Sequence, residues 1–143
     1  MVILTPAKVK INAVVTDKLD AIKQVGEMLV QGGHVPVEYI DKMIEREAIL
    51  STDLGSGLAM PHGTNESKAL IKSTGIAVLT VPGGVDFGGE EPVKLIIGLA
   101  ALGQDHIDIL SNIALLVSED NAMERVLAET SPDRLVELIV GGL

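Results

Sequence analysis

Apolar residues at Val9, Ile11, Ala13 and Val15 alternate with polar ones, a period of two that predicts a half-buried strand over residues 9–15. The period then changes. Leu19, Ile22, Val25 and Leu29 recur at spacings of three and four, which predicts an amphipathic helix capped by Thr16 or Asp17 and stopped at Gly32-Gly33. Pro36 opens a second helix, with Val37, Ile40 and Ile44 as its apolar stripe and Glu38, Asp41, Lys42 and Glu45 facing water. Arg46 falls in its last turn.

Beyond the glycine-rich step 54–57, Leu58-Ala59-Met60 fits a short buried strand that ends at Pro61-His62-Gly63-Thr64, with a helix expected to follow. Residues 76–81 and 93–100 are nearly continuous apolar runs, separated by a turn-rich stretch from Pro82-Gly83-Gly84 to Gly88-Gly89. Runs of that kind belong to strands covered on both faces. The remainder is predicted helical. Ile107, Leu110, Ile113 and Leu116-Val117 form one stripe, a short helix spans about 121–128, and Ser131-Pro132-Asp133 starts a last helix that stops at Gly141-Gly142. The pattern predicts an α/β chain in which a central sheet lies between helices, and residues 1–143 read as one domain without repeat or linker.

Composition narrows the chemistry. Cysteine is absent, so disulfides, thiolate nucleophiles and cysteine metal sites are excluded, and histidine becomes the leading candidate for covalent work. A net charge of −9 opposes a phosphate-backbone partner, which excludes DNA and RNA. With Tyr39 and Phe87 the only aromatic residues, stacking platforms for bases or sugar rings are nearly absent. No apolar run approaches the roughly 20 residues of a membrane span, and no basic segment followed by an apolar block opens the chain. A cytoplasmic location without membrane insertion is expected. No metal-binding spacing and no phosphate-binding GxxxxGKS loop is present, so neither metal nor cofactor is expected.

Of the three histidines, His34 follows a glycine-terminated helix and reads as a solvated loop residue. His62 differs. It lies where a strand ends, between a rigid proline and a small glycine that leave its ring reachable, and reacting groups in open α/β sheets gather at such ends. If Thr64 caps the next helix, the free N–H groups of that first turn favour an anion nearby. An imidazole is a usable nucleophile at neutral pH, because one nitrogen can attack phosphorus while the other keeps a hydrogen bond. His106, after the apolar strand and Gly103-Gln104-Asp105, repeats the arrangement and could stabilise phosphoryl oxygens. Arg46 offers a bidentate fork for the same oxygens.

These residues carry a resemblance. Arg46-Glu47, the block Leu54-Gly55-Ser56-Gly57-Leu58-Ala59-Met60-Pro61-His62-Gly63-Thr64, the segment Gly83-Gly84-Val85-Asp86-Phe87-Gly88 and the pair His106-Ile107 resemble the IIA domains of the bacterial phosphoenolpyruvate-dependent sugar phosphotransferase system, in the mannitol and fructose class. Thr64 directly after Pro-His-Gly, together with His106, is more similar to the mannitol branch. The resemblance implies a mixed sheet of about five strands flanked by helices. It further implies that His62 accepts a phosphoryl group from the phosphocarrier protein HPr and donates it to a cysteine of a IIB domain, with His106 and Arg46 around the phosphohistidine. A shallow apolar docking patch, used transiently by both partners, is then expected around His62. A regulatory module of the same family, read out by protein partners instead of sugar uptake, is the alternative from another class. A neighbouring gene for a IIB or IIC permease favours transport.

Overall fold

The computed structural model describes residues 2–141. Its centre is a five-stranded mixed sheet built from β1 (Val9–Lys10), β2 (Asp53–Gly55), β3 (Leu58–Ala59), β4 (Gly75–Val85) and β5 (Val93–Ala100), in the order β1-β4-β5-β3-β2. β4 and β5 pair antiparallel over most of their length. β3 runs parallel to β5, with Leu58 opposite Leu95 and Ala59 opposite Ile96.

Two cores flank the sheet, as its apolar strands require. Successive residues of β4 point to opposite faces, so Ala77 and Leu79 pack with Ile22, Val25, Leu29 and Met43, whereas Ile76 and Val78 pack with Ile113 and Leu135. The first core lies under α1 (Lys18–Gln31) and α2 (Glu38–Ile49). The second lies under α3 (Asp105–Ser118), α4 (Ala122–Ala128) and α5 (Pro132–Val140). The layered arrangement expected from the sequence is the one observed.

Caps explain several helix ends. The Asp17 side chain accepts the backbone N–H of Asp20 at 2.8 Å, so Asp17 rather than Thr16 caps α1. Past its end Gly33 takes φ +80°, the left-handed position that lets the chain turn toward Val35. Ser131 caps α5 by accepting from Arg134 N–H, with Pro132 in its first turn. The expected stop at Gly141-Gly142 lies partly outside the described residues.

Four local expectations need correction. Residues 9–15 keep their alternating burial, but only Val9 and Lys10 form a ladder, because Asn12 adopts φ 53° and the chain turns before Ala13 N–H reaches Thr80 O at 2.8 Å. Periodicity there recorded burial, not pairing. β4 continues through Pro82, Gly83 and Gly84 to Val85, with a register shift after Thr80 where proline supplies no N–H. On α1 and α2, Leu19 and Val37 are exposed, and the inward face of α2 consists of Tyr39, Met43 and Glu47, with Ile40 and Ile44 half-buried. The segment after His62 is a 3-10 helix, Asn65–Leu70, and Thr64 makes no side-chain capping bond.

Candidate functional site

The parallel pairing of β3 and β5 sends both chain segments out of the same end of the sheet. His62 sits three residues after β3, and His106 opens α3 a few residues after β5. The loop beneath His62 is fixed from several sides. Leu99 N–H donates to Pro61 O at 2.9 Å, which ties the loop to β5. The Tyr39 hydroxyl accepts Gly63 N–H at 2.9 Å and donates to Leu99 O at 3.3 Å. A Cβ on residue 63 would lie 2.7 Å from a Tyr39 ring carbon, so the contact needs glycine.

His62 itself is half-buried, and its Nδ1 lies 2.8 Å from Met60 O. A carbonyl only accepts, so Nδ1 carries the proton and Nε2 keeps its lone pair. His106 stands edge-on to this ring, with centroids 4.8 Å apart and planes at 81°. Arg46, Lys68, Gln104 and Ile107 join the two histidines around a cleft of about 460 Å³. Arg46 Nη1 donates to Leu50 O at 2.5 Å, which orients the guanidinium and leaves its other donors for a ligand.

Electrostatics keep both rings neutral near pH 7. Burial lowers the His62 pKa below its ordinary 6.5, opposed by the Met60 bond and the Glu47 charge and reinforced by Arg46 and Lys68. Burial also lowers that of His106, and His62, Lys68 and Arg46 push the same way. A cleft with two neutral imidazoles, a guanidinium and an ammonium can accept a dianion and present one nitrogen lone pair to it.

The sequence profile described as phosphoenolpyruvate-dependent sugar phosphotransferase system, EIIA 2, matches residues 2–141. The chain belongs to this family. A IIA component named mannitol-specific, from Geobacillus stearothermophilus, is 40% identical over 139 residues, covering 97% of this chain and 96% of the relative. The crystal structure of IIA mannitol from Escherichia coli superposes with a TM-score of 0.88 at 35% identity, covering 96% of this chain and 99% of that one. In the complex of enzyme IIAMtl with phosphorylated enzyme IIBMtl from the same organism, the matching chain gives a TM-score of 0.89 at 35% identity, over 96% and 97% of the two chains. The chain is thus a IIA-type phosphotransferase component with the α/β fold of that family.

Within this EIIA chain, the three residues singled out from sequence meet at one cleft: His62 and His106 in ring contact, Arg46 on its rim. His34 is a correction. It is buried, not a solvated loop residue: Lys8 Nζ lies 2.5 Å from its Nε2 and Ser73 Oγ 2.9 Å from its Nδ1, both away from the cleft. The glycine-terminated helix turns inward there, a tertiary effect without a local sequence signal. The anion site expected at an α-helical N-terminus after Thr64 is likewise a 3-10 segment, whose Lys68 lines the cleft instead. Sequence reasoning passed over Lys68 and Tyr39. Tyr39 carried a signal, being one of two aromatic side chains.

Proposed function

We propose that His62 is the phosphorylated residue of this IIA component and that Nε2 makes the bond to phosphorus. The observation that carries this reading is the Nδ1 contact with Met60 O, which leaves one nucleophilic nitrogen in a cleft shared with His106, Arg46 and Lys68. Nε2 attacks the phosphoryl group of phospho-HPr in line, and the N–P bond of the donor breaks as the new one forms. In the second step a cysteine of a IIB domain attacks the same phosphorus, and the electron pair of the N–P bond returns to Nε2. Little acid–base work is needed, so catalysis rests on placement and charge stabilisation. Arg46 and Lys68 neutralise the equatorial oxygens, and neutral His106 donates a hydrogen bond to one of them.

The relatives named mannitol-specific, and the IIA–IIB complex among the solved structures, support a mannitol IIB as acceptor. Ile107, 60% exposed on the cleft rim, and Leu102, 44% exposed beside it, supply the apolar part of a transient docking surface. No helix among the described residues is long and apolar enough to cross a membrane. A cytoplasmic protein working as a single IIA domain over residues 1–143 fits this reading.

The test is incubation with phosphoenolpyruvate, enzyme I and HPr, followed by intact-mass measurement. Wild type gains one acid-labile phosphate, and His62→Ala gains none. Labelling of His62→Ala to the wild-type extent would refute the site assignment.

A further inference from the structure

Glu47 is a buried charge that the relay described above leaves unused. Its side chain is 1% exposed, in the last turns of α2 beside Arg46. Oε1 accepts two bonds from Thr52, the backbone N–H at 3.0 Å and the hydroxyl at 2.5 Å. Among the described residues, buried Oε2 has no hydrogen-bond partner, and Lys18 Nζ lies 3.8 Å away. A carboxylate with an unbonded oxygen is costly to bury, so its presence there calls for a physical reason.

The hydrogen bonds lead from Glu47 to the reactive ring. Thr52, clamped by the carboxylate, accepts Met60 N–H on its carbonyl at 3.1 Å, and Met60 O receives Nδ1–H of His62 at 2.8 Å. We infer that Glu47 is a positioning residue for phosphoryl transfer: it braces Thr52 and Met60 so that Nδ1 of His62 stays protonated, and its charge favours the ring bearing both that proton and the phosphoryl group. This rests on the relay reading. In the phosphorylated ring Nδ1 keeps its proton while Nε2 bonds phosphorus, which makes the imidazole cationic. When the acceptor attacks, the N–P electron pair passes to Nε2 and the ring leaves as neutral imidazole, with no proton moved. A fixed negative charge stabilises the cationic donor state, where Arg46 and Lys68 otherwise act against it. Those two, with Glu47, the Met60 carbonyl and the neutral ring of His106, are the groups that bear on the ring; Lys18, on α1, faces Glu47 from its other side.

The experiment is Glu47→Gln, which keeps shape and a hydrogen-bond acceptor but removes charge. Histidine-selective NMR on the unphosphorylated protein follows the His62 titration and its ring-nitrogen shifts. A lower titration midpoint than wild type, with phosphoryl uptake from phospho-HPr slowed roughly tenfold and both restored by Glu47→Asp, is the expected result. A folded Glu47→Gln protein with wild-type midpoint and wild-type transfer rate overturns the inference. If Glu47→Gln does not fold, Thr52→Val decides: a rise of the tautomer protonated at Nε2 supports the brace, and unchanged nitrogen shifts overturn it. Failure of the relay reading looks different, since wild type would then take no phosphate from HPr while these titrations remain measurable.

Discussion

Replacing Tyr39 by phenylalanine deletes one oxygen and leaves the ring in the core. That oxygen accepts Gly63 N–H at 2.9 Å and donates to Leu99 O at 3.3 Å, and both residues are buried. Orphaning the Gly63 N–H carries the larger cost, because a buried donor without a partner loses about 1–3 kcal/mol. The longer bond to Leu99 adds less. A destabilisation of about 2 kcal/mol is expected, equivalent to a fall of roughly 4–8 °C in melting temperature for a chain of this size. Urea unfolding should show a lower midpoint with an unchanged slope, since native compactness is retained. Because Gly63 follows His62, the freed peptide also displaces the nucleophile, and misplacement near 1 Å costs up to about a hundredfold in rate. Transfer from phospho-HPr, followed by quenched-flow mass measurement, should therefore slow together with the loss of stability. A Tyr39→Phe protein within about 0.5 kcal/mol of wild type, transferring at the wild-type rate, would refute the claim that this hydroxyl fixes the His62 loop.

Other outcomes follow from the same geometry. His106→Ala should still accept phosphate on His62 but transfer it roughly tenfold to a hundredfold more slowly, with an intact fold because His106 is only partly buried; unchanged kinetics would remove it from the site. Arg46→Ala should slow transfer to a similar degree, and wild-type salt dependence in that variant would argue against charge neutralisation. Stability should fall as pH drops below 6.5, because His34, His62 and His106 all have lowered pKa values and the unfolded chain then binds protons that the native state refuses. His34→Gln should lose less stability than wild type over that interval, and parallel melting curves from pH 7 to pH 5 would contradict the buried, neutral state assigned to His34.

Long-range order in this fold was legible wherever hydrophobic period and burial coincide. The runs at 76–81 and 93–100 announced a sheet covered on both faces, and the stripes of α1, α3 and α5, apart from exposed Leu19 and Ile107, announced what covers it. Legibility failed where a single residue overrides the period. Asn12 at φ 53° ends a ladder that the alternation would have continued to Val15, and Pro82 interrupts a strand without ending it. At the cleft, His62 and His106 were readable because each follows a strand, and the parallel β3–β5 pair guarantees that both emerge at one end. Tyr39 stood out only as one of two aromatic side chains and Glu47 only as the neighbour of Arg46, while Lys68 carried no signal; each acquires its place at the site from contacts across the fold, with Gly63, with Thr52 and at the cleft.

The charge balance of the chain makes physical sense of that arrangement. A protein with net charge −9 repels the phosphoryl dianion at long range, so cations must be concentrated where phosphorus arrives. Arg46 and Lys68 supply this attraction, and the same cations, with burial, hold both histidines below their usual pKa. The two effects are coupled. Surroundings that attract the dianion also keep Nε2 unprotonated before it reacts, whereas a carboxylate facing the cleft directly would favour the imidazolium and oppose the incoming charge. Glu47 escapes that penalty because it acts from beneath, through Thr52 and Met60, on the side of the ring that already carries the proton. A relay must bind phosphate firmly enough to take it from one protein and loosely enough to release it to the next. In the relay proposed for His62, the proton on Nδ1 and the phosphoryl group on Nε2 of one ring provide that balance.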